Sequence, residues 1–241
     1  MLVWLASYPR SGNTFFRLAL HQLYGHRSVG IQARGVKPPG DDGRPYELRT
    51  ELTDAEMAGS EAVYFVKTHS LPSETTNPAI YLVRDGRDSL VSYAWFSLVW
   101  HRGMAAEQVT PEQFHEALFN VMVDPRGPYG TWGSNVLAWL ARPRTCVLKF
   151  EEVIRNPEEC VSGAMHTLSL PGDCRGGRIP TFAELHAARP DFYRRGEVGS
   201  WRDEFPPDLF DHFWRLHGEA MDAVGYSRNR HFLERSDRSR G

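Results

Sequence analysis

The chain has 241 residues, of which 41% are hydrophobic and 24% charged, values typical of an ordinary globular protein with one substantial core. The formal net charge of −2 gives no overall basic character, so the composition does not point to nucleic acid or to an acidic membrane surface as a partner. The three cysteines, Cys146, Cys160 and Cys174, form neither a paired disulfide framework nor a C-x-x-C motif, which favours a reducing compartment and thus the cytoplasm.

Short apolar segments alternate with longer segments of helical periodicity along the chain. The apolar segments are rich in β-branched residues and predict buried strands at 3–7, 62–67, 80–83 and 145–150. The periodic segments predict helices at 13–26, 87–100, 111–122, 134–140, 157–168 and 207–224. Strands separated by helices form crossover units, so we expect one α/β domain with a central, mainly parallel sheet flanked by helices.

Segments dense in glycine, proline and aspartate predict loops at 30–45, 124–133 and 171–180. The domain is predicted to span 1–226, followed by a basic, flexible tail at 227–241. The chain contains no run of about 18 apolar residues, and no basic region precedes its first apolar segment, so we expect neither a membrane span nor a signal peptide.

The first predicted strand leads into a helix through the sequence ASYPRSGNTFFR. A turn in this place lies at the carboxyl end of a parallel strand and presents the unpaired N–H groups of a helix N-terminus, a combination that binds anions. Gly12 lets the backbone approach closely, Ser11 and Thr14 add hydroxyl groups, and Arg10 adds a permanent charge. These residues fit equally well an ordinary helix cap at Ser11 or Asn13 beside a solvated Arg10.

The lysine-containing phosphate loop of ATP-binding proteins, G-x-x-x-x-G-K-S/T, is absent from the sequence. The lysine that would reach the β- and γ-phosphates of ATP therefore has no counterpart, and the turn suits a shorter anionic group. An ATP-dependent kinase of nucleotides or small molecules is disfavoured on this ground. It stays open as an alternative, as does a nucleotide-binding protein without catalytic activity.

Further polar segments follow the predicted strands or lie in loops. FVKTHSLP carries Lys67 and His69 at a strand end, YLVRDGRDSLVSYAWF carries Arg84 and Ser92, and FYRRGEVGSWRDEF carries two adjacent arginines and a glycine. Together with YPRSGNTFFR, YGTWGSNVLAWL and VLKFEEVIRNPEE, this ordered set resembles the sulfotransferase family that uses 3′-phosphoadenosine 5′-phosphosulfate (PAPS) as sulfuryl donor. The resemblance covers most of the chain.

The resemblance implies a donor site divided between the two ends of one nucleotide. The first turn would hold the 5′-phosphosulfate through Arg10, Ser11, Gly12, Asn13, Thr14 and Phe15. A second set would hold the 3′-phosphate: Arg84, Ser92, Arg194, Arg195 and Gly196. The positions that match the family's adenine contacts are Phe15, Phe150 and Phe182, where the family often has tryptophan at the first and tyrosine at the second. The alternatives are an ion pair of Arg84 with Asp85 or Asp88, and a place in the core for the phenylalanines.

Sulfuryl transfer requires the acceptor, the sulfur and the leaving oxygen to lie in line, and it requires stabilisation of charge. His69 is the candidate general base, because it lies two residues after Lys67 at a predicted strand end and faces the same side of the pleat. The resemblance implies that Lys67 stabilises the sulfuryl oxygens. Arg10 stands where the family more often has lysine, and it would stabilise the leaving phosphate, which becomes 3′,5′-adenosine bisphosphate, by charge rather than by releasing a proton. No metal is expected.

The acceptor side gives the weaker signal. A small-molecule hydroxyl acceptor would fit an apolar pocket under the loops at 30–45 and 124–133, lined by Trp95, Phe96, Trp100, Tyr129 and Trp132. Aromatic residues at helical spacing are equally typical of a core. The sequence selects neither the acceptor nor an oligomeric state.

Overall fold

The computed structural model describes residues 1–30, 45–124, 127–189, 193–194 and 196–228. Within these ranges the strands form one six-stranded, all-parallel sheet in the order β3-β2-β4-β1-β5-β6. The strands are β1 (Leu2–Ser7), β2 (Ser28–Val29), β3 (Glu47–Leu48), β4 (Tyr64–Thr68), β5 (Ala79–Val83) and β6 (Thr145–Lys149). The prediction of an α/β domain with a central parallel sheet is confirmed, while β2 and β3 were not predicted.

Helices connect the strands. They are α1 (Asn13–Tyr24), α2 (Asp54–Gly59), α3 (Gly86–Phe96), α4 (Pro111–Val123), α5 (Trp132–Ala141), α6 (Phe150–Val153), α7 (Pro157–Thr167), α8 (Phe182–Ala188) and α9 (Phe210–Ala223). A π-helical turn, Ser97–His101, continues α3, and 3₁₀ turns occur at Ala106–Gln108, Ser200–Asp203 and Pro207–Leu209. The short helices α2, α6 and α8 were not predicted. The predicted strand at 145–150 was one residue too long, because Phe150 begins α6.

Both faces of the sheet are covered, as the alternation along β1 shows. Leu2, Trp4 and Ala6 pack on the side of α3, α4, α5 and α9. Val3 and Leu5 pack on the opposite side, against α1 and α7. Every residue of β1 is therefore buried, and burial on both sides explains why the strand reads as a continuous apolar run.

The register of the sheet brings the carboxyl ends of four strands to one edge. Ala6 of β1 lies opposite Thr68 of β4, so the residues that follow these strands are neighbours. On the other side Val83 of β5 lies opposite Lys149 of β6. The segments that begin at Tyr8, His69, Arg84 and Phe150 therefore meet at the edge where parallel sheets bind ligands.

Two predicted loops and the tail fall partly outside the described residues. Residues 31–44 of the first loop, 125–126 of the second and 229–241 of the tail are not described. Two residues assigned to the tail contact the domain: the Ser227 carbonyl oxygen accepts from Arg87 Nη1 at 3.4 Å, and Arg228 pairs with Asp211 at 2.6 Å. Over the described ranges, no helix is long and apolar enough to cross a membrane.

Candidate active site

The turn after β1 has an unusual backbone and is tightly packed. Gly12 has a φ of 88°, and a Cβ atom built there would lie 2.2 Å from Cδ2 of Phe150. Arg10 also has a positive φ, 66°, which is uncommon for a residue other than glycine. Such conformations cluster at ligand sites, and glycine at position 12 is required by both its backbone and the Phe150 ring.

The polar side chains of the turn contact neighbouring elements. Arg10 Nε donates to Ser92 Oγ at 3.2 Å, and the guanidinium lies 4.9 Å from the centre of the Phe96 ring. The hydroxyl groups of Ser11 and Ser89 are 3.2 Å apart. Asn13 Nδ2 donates to the carbonyl oxygen of Leu5 at 2.9 Å, so this side chain braces the turn against β1. Its backbone N–H lies at the start of α1, where N–H groups have no partner within the helix.

Arg84 connects the first turn to the loop that contains Gly196. Its Nη1 donates to the carbonyl oxygen of Arg10 at 3.3 Å, and its Nη2 donates to that of Glu197 at 3.2 Å. The guanidinium lies 4.7 Å from the centre of the Phe150 ring. Arg84 is only 7% exposed, and its Nε has no hydrogen-bond partner within the described part of the chain. An unpaired buried donor is uncommon in native proteins and marks Arg84 as a candidate ligand contact.

The alternative ion pairs of Arg84 are not formed. Asp85 pairs instead with Arg87 at 2.6 Å. Asp88 accepts from the backbone N–H groups of Gly199 at 2.7 Å and Trp201 at 2.9 Å, and thereby anchors the second loop to α3. The neighbouring carboxylates are therefore committed to other groups.

Arg194 is engaged by a carboxylate that the sequence analysis did not identify. Its Nη1 and Nη2 each donate to an oxygen of Glu204 at 2.9 Å, and the Trp95 indole donates to the same carboxylate at 2.6 Å. Gly196 has a φ of 62°, and a Cβ there would lie 1.9 Å from Cε1 of Phe182. The predicted ligand Arg195 lies outside the described residues.

The three predicted adenine contacts differ in their surroundings. Phe15 is 5% exposed and packs in the core cluster on the α1 side of the sheet. Phe150 is also buried, but it lies between Gly12 and Arg84, at the centre of the predicted site. Phe182 is half-buried at the start of α8 and contacts Gly196. Phe150 and Phe182 thus stay candidates for stacking, whereas Phe15 fits the core alternative better.

The predicted acceptor aromatics divide into three places. A small, open cavity is lined by Arg10, Ser92, Trp95, Phe96, Val99, Trp100 and Arg194. Trp132 does not line it; it is completely buried against Phe213 and His217, so its assignment to a pocket was wrong. Tyr129 lies elsewhere, edge-on to the ring of His69 at 5.9 Å.

His69 directly follows β4 and is held by the end of β1. Its Nδ1 lies 2.7 Å from the carbonyl oxygen of Ser7 and 3.2 Å from Ser7 Oγ. Because a carbonyl oxygen can only accept, Nδ1 carries the hydrogen, and Nε2 is the nitrogen able to take up a proton. Burial, and next the cation of Lys67, lower the pKa of His69 to about 3. The imidazole is therefore neutral in the unliganded protein, but with so low a pKa it is a weak base until a bound anion offsets the Lys67 cation.

Positive charge accumulates beside the first turn. Burial, and next the nearby cations of Arg84 and Arg194, lower the pKa of Arg10 to about 10. Three guanidinium groups from separate segments therefore lie within electrostatic reach of one another, a costly arrangement that an anionic ligand would relieve. In the described ranges, no group of three or more histidine, cysteine or acidic residues is placed to hold a metal ion.

Comparison with known proteins gives consistent matches. The family described as the sulfotransferase domain matches residues 2–172. Sulfotransferase 1E1 of Mus musculus is 25% identical over 252 residues, which cover 90% of this chain and 82% of the relative. Mouse sulfotransferase SULT7A1 complexed with PAP has a TM-score of 0.63 at 19% identity, over 98% of this chain and 88% of that chain. A retinol dehydratase in a complex with retinol and PAP has a TM-score of 0.56 at 20% identity, over 95% and 83%.

Proposed function

The chain belongs to the sulfotransferase family, and we propose that it transfers a sulfuryl group from PAPS to a hydroxyl group of a small-molecule acceptor. The product of the donor would be 3′,5′-adenosine bisphosphate (PAP), the ligand named for two proteins of similar fold. The observation that carries the proposal is the convergence of three arginines beside the strand–turn–helix: Arg84 Nη1 donates to the carbonyl oxygen of Arg10, and Arg10 and Arg194 line one cavity. Arginine forks of this kind bind phosphate and sulfate oxygens through charge-assisted hydrogen bonds.

The donor nucleotide would lie across the edge of the sheet. We assign the 5′-phosphosulfate to the backbone N–H groups after Gly12 and to Arg10, with Ser11 and Thr14 as further donors. The 3′-phosphate would accept from Arg84 Nε, a buried donor that has no hydrogen-bond partner among the described residues. Ser92 and the loop at 194–196 complete the proposed subsite. The adenine would stack on Phe150 or Phe182, since aromatic faces hold bases by about 1–3 kcal/mol each.

His69 Nε2 would accept the proton of the acceptor hydroxyl while the oxygen attacks sulfur on the side opposite the leaving phosphate oxygen. The new S–O bond forms as the bond to the phosphate oxygen breaks, and the bisphosphate leaves with the electron pair. Lys67 would stabilise charge on the sulfuryl oxygens, and Arg10 would stabilise it on the leaving phosphate. Arginine suffices there because phosphate is a weak base and leaves without a proton.

The acceptor would have an apolar body. In support of this, Phe96, Val99 and Trp100 line the cavity beside Arg10. The polar groups there already have partners, because Trp95 and Arg194 both bind Glu204.

We also propose a cytoplasmic location, in keeping with the three cysteines, which are all free thiols.

The proposal is tested by calorimetric titration of the protein with 3′,5′-adenosine bisphosphate and with ATP, both without metal. We expect the bisphosphate to bind tightly and ATP to bind weakly, because ATP lacks the 3′-phosphate and its triphosphate has no lysine-containing loop. Tight binding of ATP together with no binding of the bisphosphate would favour the kinase alternative and contradict the proposal.

Glu204→Gln provides a second test, directed at Arg194. Glutamine keeps the size of the side chain and its bond from Trp95 but removes the charge that pairs with Arg194. If Arg194 serves the 3′-phosphate, we expect the variant to bind the bisphosphate several-fold more tightly and to bind 5′-AMP as the parent does. Equal changes for both nucleotides, or weaker bisphosphate binding alone, would assign Glu204 and Arg194 to the support of the loop.

A further inference from the structure

The three residues that follow β4 are held along their main chain by one segment, residues 128–139. The carbonyl oxygen of His69 accepts from Asn135 Nδ2 at 3.0 Å, and that of Ser70 accepts from the Trp139 indole at 3.1 Å. The backbone N–H of Leu71 donates to the Pro128 carbonyl oxygen at 3.0 Å. The candidate base is therefore fixed by α5 and the turn before it, not by β4 alone.

Asn135 uses its whole amide group in this arrangement. Besides His69, its Nδ2 donates to the carbonyl oxygen of Tyr129 at 2.8 Å, and its Oδ1 accepts from the Tyr81 hydroxyl at 2.9 Å. Both Asn135 and Tyr81 are completely buried. Two carbonyl acceptors require the NH₂ group on one side and the hydroxyl donor suits the oxygen on the other, so the amide has one satisfactory orientation.

The Asn135 amide holds both His69 and Tyr129, whose rings are in contact. Asn135 holds the backbone of His69 and the backbone of Tyr129, and the Tyr129 ring lies edge-on to the His69 ring at 5.9 Å and 85°. Nδ1 of the His69 ring donates to the carbonyl oxygen of Ser7. The direction of Nε2 thus follows from the Ser7 contact together with the amide of Asn135.

We infer that Asn135 is a positioning residue that orients His69 as the general base and aligns Tyr129 beside it. The inference rests on the proposed role of His69 in sulfuryl transfer. A core position that only fills space would carry an apolar side chain, since burying an amide is unfavourable unless its hydrogen bonds are made. Here both donors and the oxygen have partners, and two of the three bonds go to residues of the candidate site.

Asn135→Asp is the informative variant, because it keeps the size of the side chain and the acceptor for Tyr81. It loses the NH₂ group and therefore the donors to both carbonyl oxygens. Trp139→Phe is the matched control: it removes the indole bond to Ser70, the neighbouring carbonyl, from the same helix. His69→Gln identifies the His69 signals in NMR spectra of the protein with labelled histidine side chains.

We expect Asn135→Asp to reduce the population of the Nδ1–H tautomer of His69 and to lower kcat by about tenfold with 4-nitrophenol and PAPS. The dissociation constant for 3′,5′-adenosine bisphosphate should stay within about twofold of the parent value, because the donor site is not contacted. Trp139→Phe should keep the parent tautomer and most of kcat. If Asn135→Asp does not fold, Tyr81→Phe removes the bond that orients the amide and should shift the tautomer in the same direction.

An unchanged His69 tautomer in the foldable variants, or equal losses of kcat in Asn135→Asp and Trp139→Phe, would overturn the inference and leave Asn135 a structural residue. The NMR measurement needs no turnover. It therefore separates a failure of this inference from a failure of the proposed function, which would show as absent bisphosphate binding in the parent protein.

Discussion

Replacing His69 by glutamine should reduce sulfuryl transfer by about 10²–10⁴-fold while 3′,5′-adenosine bisphosphate binds as in the parent protein. The expectation rests on the geometry of the ring: Nδ1 donates to the carbonyl oxygen of Ser7, so the proton-accepting nitrogen is Nε2. Glutamine is able to keep a bond to Ser7 through its amide, but it offers no basic nitrogen. The measurement is kcat at saturating PAPS and acceptor, with calorimetric titration of the bisphosphate as the control for the donor site.

The pKa of His69 adds a check that needs no acceptor. Burial and the Lys67 cation lower this pKa to about 3, so in the unliganded protein His69 stays neutral as pH falls through the ordinary histidine range near 6.5. Bound bisphosphate brings negative charge that offsets Lys67 and Arg10, so we expect the pKa to rise on binding. NMR titration with and without the bisphosphate measures both values. Near-normal turnover in His69→Gln, or a pKa that does not respond to the nucleotide, would remove His69 from the reaction.

The sequence predicted the long elements because each carries its own periodic pattern. β1 is buried on both faces and reads as a continuous apolar run, and α4 begins with a capping box at Thr110 followed by proline. β2 and β3 have two residues each and carry no such pattern. Their position depends on long-range pairing, of β2 with β4 and of β3 with β2, and on the buried Arg17, which binds Ser28 and Glu47 across the two strands.

For the candidate site, too, the residues marked by a local pattern were predictable, and the contacts between distant residues were not. His69 and Arg84 were predictable because they follow strands, and the ends of parallel strands share one edge. The partners that hold these residues were not. The bond from Asn135 to His69 spans 66 residues, and the pair of Arg194 with Glu204 closes a loop whose path no local pattern specifies. Asn13 was assigned to the anion by position, but its side chain turns back to the Leu5 carbonyl oxygen, a choice set by the shape of the turn.

The second large effect concerns the 3′-phosphate. Arg84→Ala should weaken binding of 3′,5′-adenosine bisphosphate by about tenfold or more, and by clearly less for 5′-AMP, which lacks that phosphate. A hydrogen bond to a charged group contributes about 1.5–3 kcal/mol, and about 1.4 kcal/mol corresponds to tenfold in affinity. Arg84 Nε is a buried donor without a hydrogen-bond partner among the described residues, whereas Nη1 and Nη2 donate to the carbonyl oxygens of Arg10 and Glu197.

Because Arg84 also bonds the backbone of Arg10 and Glu197, the experiment needs controls that separate these contacts from phosphate binding. Arg84→Ala also removes the connection between the first turn and the second loop, so some loss for 5′-AMP is expected, through Arg10. Arg84→Lys keeps the charge but not the fork, and it should fall between alanine and the parent for the bisphosphate. If Arg195 serves the same phosphate, Arg195→Ala should selectively weaken binding of the bisphosphate. The effects of Arg195→Ala and Arg84→Ala should then not be additive in the double variant, because both arginines would bind one group. Equal weakening of both nucleotides by Arg84→Ala would mean that Arg84 supports only the 5′ turn, and the 3′-phosphate would then have to be bound elsewhere.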